Sequence, residues 1–313
     1  MTTTRPSAPG PRSTGARRDD IARSVVGRRR ELDLVLAAVS AGRDIMLEGP
    51  PGTSKSTMLR AITANWGVPF VLVEGNAELT PARLVGHHNP ARVLREDYSP
   101  DNFVPGPLVE SMQSGGFLYI EELNRAPEDT LNVLLAAMAE REVAVPRVGL
   151  ITALPTFRVL ASMNPFDDVG TARISDSVYD RWCRLAIGYQ DGAEEADIVA
   201  VRTGSVDAAL VADAVALTRA TRSHPDLRRG SSVRGAIDLA AIAVELEGLG
   251  SYDGDRPRRI LDAALLALSA RIGVDEAADT TPEAVITQIW EDHFFSRPGG
   301  PRRDPTASTS TTP

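Results

Sequence analysis

Gly49-Pro50-Pro51-Gly52-Thr53-Ser54-Lys55-Ser56-Thr57 holds the only lysine in a chain of 313 residues with 34 Lys and Arg side chains. Every other cation of that set is arginine. A compact ammonium on a flexible stem reaches places where a planar guanidinium does not fit. Lys55 therefore marks a position where shape as well as charge counts. The apolar run over 44–48 predicts a strand, and 56–61 predicts the start of a helix. Strand, glycine-framed loop and Lys-Ser at a helix start form a phosphate-binding arrangement. Backbone N–H groups and the helix N-terminus face the phosphates, Lys55 reaches the β and γ oxygens, and the Ser56 hydroxyl ligates Mg²⁺. Ser54 stands where such loops commonly carry glycine.

A second constellation follows the apolar run 117–120, which ends in Glu121 and Glu122. Continuous apolarity predicts a strand buried on both faces. Delivering two carboxylates to its C-terminal end suits a nucleoside triphosphatase: Glu121 holds the Mg²⁺ shell and Glu122 activates a water. The first position is ordinarily Asp, and the longer Glu121 meets the metal or its waters from further back. The third signal is the run 159–163 leading into Asn164-Pro165. An asparagine at that strand end can hold the attacking water against the γ-phosphate.

These positions need a scaffold of alternating elements. Helix is expected over 29–41, with Leu32, Leu36 and Val39 on one face, then strand at 45–47, the loop with its helix, and strand at 70–73. Strand at 117–120, helix at 130–139, and strand-like segments at 142–148 and 156–161 follow. This order predicts an α/β fold, a parallel sheet flanked by helices. From about 191 the pattern is helical only, at 193–202, 206–222, 232–246, 256–271 and 282–295, giving an all-α second domain. The expected organisation is a basic tail over 1–24, an α/β domain over 25–190, a helical domain over 191–295 and a tail over 296–313. The stretch 76–107 reads as an insertion on the sheet, not a core element.

Composition narrows the function further. Apolar residues make up 42% of the chain, yet no run is long enough to cross a bilayer. The N-terminal residues have no signal-like hydrophobic segment. A single cysteine, Cys183, leaves no disulfide framework, so the cytoplasm is the simplest location. Residues 1–30 carry eight arginines and two aspartates, and 296–313 carry three arginines and one aspartate, against a total of −8. The body between them is therefore strongly acidic and poorly suited to binding nucleic acid. His87-His88 has no third ligand at metal-binding spacing and reads as a pair of loop histidines. Trp182 and Cys183 read as packing residues.

Together these motifs resemble the AAA+ ATPases, and within them the MoxR-like group, over roughly 25–295. Val26-Gly27-Arg28 with Glu31-Leu32 resembles the family's entry motif, which packs against adenine. The run from Phe103 to Pro127 resembles the MoxR stretch from GPL to the Walker B acids, and Leu134 to Val145 resembles the helix and first strand of the hairpin before sensor 1. Asn164 matches sensor 1, and Asp180-Arg181-Trp182 is similar to the Asp-Arg-Phe motif whose arginine is the finger. Gly230-Ser231-Ser232-Val233-Arg234 resembles sensor 2, and 76–107 falls where the group carries its helix-2 insert.

The resemblance implies a P-loop AAA+ core with an α-helical lid, and ATP and Mg²⁺ as cofactors. It implies Arg181 acting on the nucleotide of a neighbouring copy in a ring, an expected hexamer, with Arg234 contacting the γ-phosphate in cis. Arg181 has an intrachain ion pair with Asp176 or Asp180 as its alternative, and Arg184 is the fallback finger. Asn124 and Arg125 are candidates for reporting nucleotide state to the interface. It also implies a chaperone or remodelling role on a client, often a von Willebrand A-domain protein. Two other readings stay open: a nucleotide-binding switch that hardly hydrolyses, and a magnesium-chelatase-type subunit.

Overall fold

Alternate side chains of the short central strands go to opposite cores, and this sets the layers. In the computed structural model, which describes residues 18, 19, 21, 22, 25–96, 99–165, 179–205, 207–250 and 252–296, the chain divides into two units, Met1–Gly188 and Tyr189–Pro313. The first opens with α1 (Arg29–Ser40), β1 (Ile45–Glu48), α2 (Lys55–Trp66) and β2 (Phe70–Glu74). Next come α3 (Pro81–Val85), β3 (Gly86–His88), α4 (Pro90–Glu96), β4 (Phe103–Pro105), α5 (Pro107–Ser114) and β5 (Phe117–Glu121). It closes with α6 (Glu128–Glu140), β6 (Glu142–Val145), β7 (Gly149–Thr152), β8 (Arg158–Met163) and β9 (Cys183–Ala186).

Five strands form one sheet in the order β2-β5-β8-β1-β9, and every pairing in it is parallel. Met46, Leu118, Ile120, Val159 and Ala161 pack into one core with Leu108 and Met112 of α5 and Leu131 and Leu134 of α6. Their strand neighbours Ile45, Leu47, Phe117, Tyr119 and Leu160 pack into the other with Leu32 and Leu36 of α1 and Leu59 and Ile62 of α2. Period-two alternation between two apolar layers is what a parallel sheet with helices on both faces requires. The expected α/β core is what the chain forms.

The structure departs from the sequence expectations at several places. The stretch 76–107 is not only an insertion on the sheet: Leu79 and Leu84 are buried in the same core as β5 and β8. Thr130 of α6 donates its hydroxyl to Leu79 O at 2.5 Å. The outer part of the stretch is a two-stranded β3-β4 ribbon. Strand β9 was not expected at all. Cys183 and Arg184 of it are exposed, leaving only the short run Leu185-Ala186-Ile187 as an apolar signal, and it joins the sheet through backbone pairing with β1. Trp182 just before it is buried in the core, while Cys183 is exposed.

The second unit contains α7 (Gly192–Thr203), α8 (Ala208–Ala220), β10 (Leu227–Arg229), α9 (Val233–Gly248), α10 (Arg256–Leu268), β11 (Gly273–Val274) and α11 (Pro282–Phe294). It is not purely helical, because β10 and β11 pair as a short antiparallel ribbon. Its helices share one apolar core that includes Leu210, Leu239, Ile260, Ile286 and Trp290. Asp191 closes a capping box with Glu194 at the start of α7, which fixes where that helix begins. Among the described residues no helix is long and apolar enough to cross a membrane.

Candidate functional site

The phosphate-type loop folds around its lysine. Lys55 Nζ donates to Gly49 O and Pro50 O, both at 2.7 Å, and to Thr53 Oγ1 at 3.3 Å. Thr53 Oγ1 in turn donates to Pro50 O at 2.8 Å. A three-donor ammonium suits acceptors converging from one short turn, whereas a flat guanidinium does not. Gly49 permits this turn for a second reason. A Cβ there would lie 2.0 Å from Ile187 O, so only glycine lets the loop pass the end of β9.

Ser54 caps the N-terminus of α2 with φ 64° and ψ 16°, the left-handed region where a Cβ is strained. That conformation costs a non-glycine residue about 1–2 kcal/mol. Part of the gain from glycine is offset by the greater freedom of its unfolded chain, so Ser54→Gly is expected to stabilise the fold by about 1 kcal/mol. Denaturant unfolding reads this directly, and a loss of stability would mean that the Ser54 side chain earns its place.

The acidic pair sits across the sheet from the loop. Ser56 donates its hydroxyl to Glu121 Oε1, a contact spanning 65 positions of sequence. Arg60, one helical turn beyond Ser56, lies 3.4 Å from Glu121 Oε2. The two residues expected to hold a metal are thus in direct contact. Below them the buried Tyr119 hydroxyl meets Ser162 Oγ at 2.9 Å. Burial pushes the Tyr119 phenol up, against hydrogen bonds to Ser162 and Ser56, so it stays a neutral hydroxyl under the site.

Glu122 follows β5 with φ 55° and ψ 47°, a second non-glycine residue in left-handed backbone. Its carboxylate pairs with Arg125 at 2.9 Å. Strained backbone at an acidic residue beside a strand end is the kind of outlier that marks functional positions. The conformation is held from outside. Gly75 N donates to Glu121 O at 2.7 Å, and a Cβ on Gly75 would lie 2.3 Å from Glu122 O. Gly75 and Arg60 were not among the sequence candidates. Arg60 had a readable signal, its i+4 spacing from Ser56 on one helix face. Gly75 had none, since its role is an approach between neighbouring strands that are far apart in sequence.

Asn164 follows β8, and its carbonyl accepts from Asn124 Nδ2 at 3.0 Å, which ties the turn after β5 to the turn after β8. Loop, acids and Asn164 therefore share the C-terminal edge of one parallel sheet, where open α/β sheets bind ligands.

The remaining candidates lie elsewhere. Val26 and Gly27 precede Arg28, which is 6% exposed and donates to Gly188 O at 2.5 Å and to Glu31 Oε1 at 3.1 Å. Arg181 precedes β9, at the opposite end of the strands from the loop, so the chain does not bring it to its own Lys55. Asp176, one of its alternative partners, lies outside the described residues. Arg184, the fallback finger, forms an ion pair with the nearly buried Glu48 and lies 5.9 Å over the Tyr179 ring. Arg234 is an exposed residue in the first turn of α9, in the second unit. The loop before it is pinned by Arg222, whose Nε donates to Ser231 O at 2.7 Å. His88 meets Pro146 O at 3.1 Å and the edge of the Phe103 ring, contacts that pack the ribbon.

Comparison with known proteins supplies the context for this geometry. Residues 44–182 match the AAA domain of the dynein-related subfamily. The chain is 28% identical to the gas vesicle ATPase GvpN of Ancylobacter aquaticus, over 78% of this chain and 72% of that protein. It is 25% identical to the chaperone MoxR1 of Mycobacterium tuberculosis, over 87% of this chain and 79% of that one. Similarity to the protein MoxR of Methylorubrum extorquens reaches 31% over 52% of this chain and 46% of MoxR. In fold it resembles the RuvB Holliday junction branch migration motor of Thermotoga maritima, with a TM-score of 0.51 at 15% identity, over 77% and 70% of the two chains.

Proposed function

We propose that this chain, which belongs to the MoxR-like AAA+ ATPases, hydrolyses ATP at the Gly49–Thr57 loop and uses the cycle to remodel a partner protein. The observation that carries this reading is the meeting of Ser56 and Glu121 beside Lys55. A hydroxyl and a carboxylate in contact next to an ammonium form a donor set for Mg²⁺ and phosphate oxygens. Mg²⁺, when bound, neutralises charge on the β and γ oxygens. Lys55 exchanges its loop carbonyls for those oxygens, the N-terminus of α2 orients them, and Val26 and Gly27 sit at the adenine end.

Glu122 accepts the proton of the attacking water, while Arg125 engages its Oε2 at 2.9 Å. Asn164 positions that water. Arg181 comes from a neighbouring copy, because its own chain places it at the far end of the sheet. A contact of that kind is head-to-tail and closes into a ring, for which a hexamer is the natural size. Arg234 contacts the γ-phosphate from the lid. Two relatives carry the names chaperone and gas vesicle ATPase, in keeping with a protein client, a von Willebrand A-domain protein among the candidates, and with work in the cytoplasm.

Two experiments test this reading. Lys55→Arg keeps the charge yet is expected to weaken ATP binding by about a hundredfold, or 2.7 kcal/mol. Equilibrium binding measures it, and wild-type affinity in that variant would contradict the loop assignment. The second concerns a switch that hardly hydrolyses, a reading favoured by Glu121 in the usual Asp position and its engagement by Ser56 and Arg60. If the chain is an enzyme, wild type turns over ATP and Glu121→Asp changes the rate by less than about tenfold, within 1.4 kcal/mol of barrier. A silent wild type with a large gain in Glu121→Asp would establish the switch instead.

A further inference from the structure

The layer between the central sheet and α2 turns polar at the C-terminal edge of the strands. Phe117, Tyr119 and Leu160 pack into that layer with Ile45 and Leu47, against Met58, Leu59 and Ile62 of α2. By period-two alternation Glu121 follows Tyr119 onto this face, and Ser162 follows Leu160 on the adjacent strand. Three polar groups from two neighbouring strands thus stand together, beside Ser56 in the first turn of α2.

Tyr119 is 0% exposed and Ser162 is 3% exposed. Burying two hydroxyls is unfavourable unless each is hydrogen-bonded. A phenyl ring packs as well in this layer, as Phe117 does two residues earlier on the same face. The hydroxyls instead form a chain. Ser162 Oγ lies 2.9 Å from the Tyr119 hydroxyl, which also hydrogen-bonds Ser56, and Ser56 donates to Glu121 Oε1. The proton count gives the chain a direction. A carboxylate only accepts, so the single Ser56 proton goes to Glu121. Ser56 Oγ then accepts from Tyr119, and Tyr119 accepts from Ser162. One lone pair of Ser56 is left, and its direction is set by the two bonds already made.

We infer that Tyr119 is a positioning residue for the metal: held by Ser162, its hydroxyl fixes the Ser56 rotamer so that the remaining lone pair and Glu121 face Mg²⁺ together. This rests on the proposed role of Ser56 and Glu121 as holders of the metal. It adds what those two residues do not supply themselves. A serine hydroxyl turns among three staggered positions, whereas Mg²⁺ demands nearly octahedral ligand directions. A polar group that orients a metal ligand is worth about ten- to a hundredfold in metal affinity.

The test uses the full-length protein and the β,γ-imido analogue of ATP, which binds without being hydrolysed. Its affinity is measured with saturating Mg²⁺ and in excess EDTA. Tyr119→Phe keeps the ring and removes the hydroxyl; it is expected to weaken binding about tenfold with Mg²⁺ and to leave it unchanged in EDTA. In a Ser56→Ala chain, which has no hydroxyl to orient, adding Tyr119→Phe should cause no further loss. Should Tyr119→Phe fold poorly, Ser162→Ala reads the same pair of affinities with the ring left in place. A loss in Tyr119→Phe that is equal with and without metal, or that persists in Ser56→Ala, would make Tyr119 a packing residue and overturn the inference. Wild-type affinity in the variant, beside a wild type that responds to Mg²⁺, would overturn it too while leaving the metal site standing. A wild type indifferent to Mg²⁺ would instead remove the metal site and the inference together.

Discussion

Arg181→Ala is expected to lower ATP turnover about a thousandfold while leaving ATP affinity nearly unchanged, the scale found for arginines that stabilise a transferring phosphoryl group. Arg181 precedes β9, which runs parallel to β1, so it lies at the sheet end opposite the loop that follows β1. It cannot serve the nucleotide of its own chain without crossing the sheet. A planar, permanently charged fork suits charge spread over the equatorial oxygens of the transition state. If Arg181 instead only pairs with an acid of its own chain, the substitution removes a surface interaction worth about 1 kcal/mol or less. Turnover would then stay close to wild type. Mixing sharpens the test: Arg181→Ala and Lys55→Ala chains, each inactive alone, should regain turnover together, because one supplies an intact loop and the other an intact arginine. Equal, undiminished turnover in Arg181→Ala alone would remove the shared site.

The loop and the strand before it were legible because phosphate chemistry dictates both residue types and spacing. Lys55 and Ser56 must follow a glycine-framed turn at a helix start, and 117–120 had to be apolar because both faces of β5 are covered. Elements whose reasons are non-local were illegible. Cys183 and Arg184 of β9 are exposed and only Leu185 of that strand packs on the core, so its apolar signature is short and its register with Ile45 to Glu48 places it in the sheet. Leu79 and Leu84 sit among polar, proline-rich neighbours, and only the packing against α5 and α6 shows that they belong to the core. Gly75 matters because the turn after β5 passes within contact of it, a fact with no local trace. Ser54 is the converse case: its departure from glycine was visible in the sequence, but its cost appeared only with the positive φ.

Glu122→Gln is expected to reduce phosphate release by about a hundred- to ten-thousandfold, the usual contribution of a positioned general base. The amide is nearly isosteric and cannot take a proton, so the change removes basicity and little else. It also weakens the pair with Arg125, now 2.9 Å away, but that contact is partly exposed and contributes at most about 1 kcal/mol. ATP binding rests on Lys55, Ser56 and the loop backbone, which the change leaves alone. The deciding measurement therefore follows ATP affinity and phosphate release side by side in wild type and Glu122→Gln with Mg²⁺ present. Equal affinity with release nearly abolished in Glu122→Gln is the predicted result, and equal release from both chains would contradict the assignment of this site as an ATPase that works through Glu122.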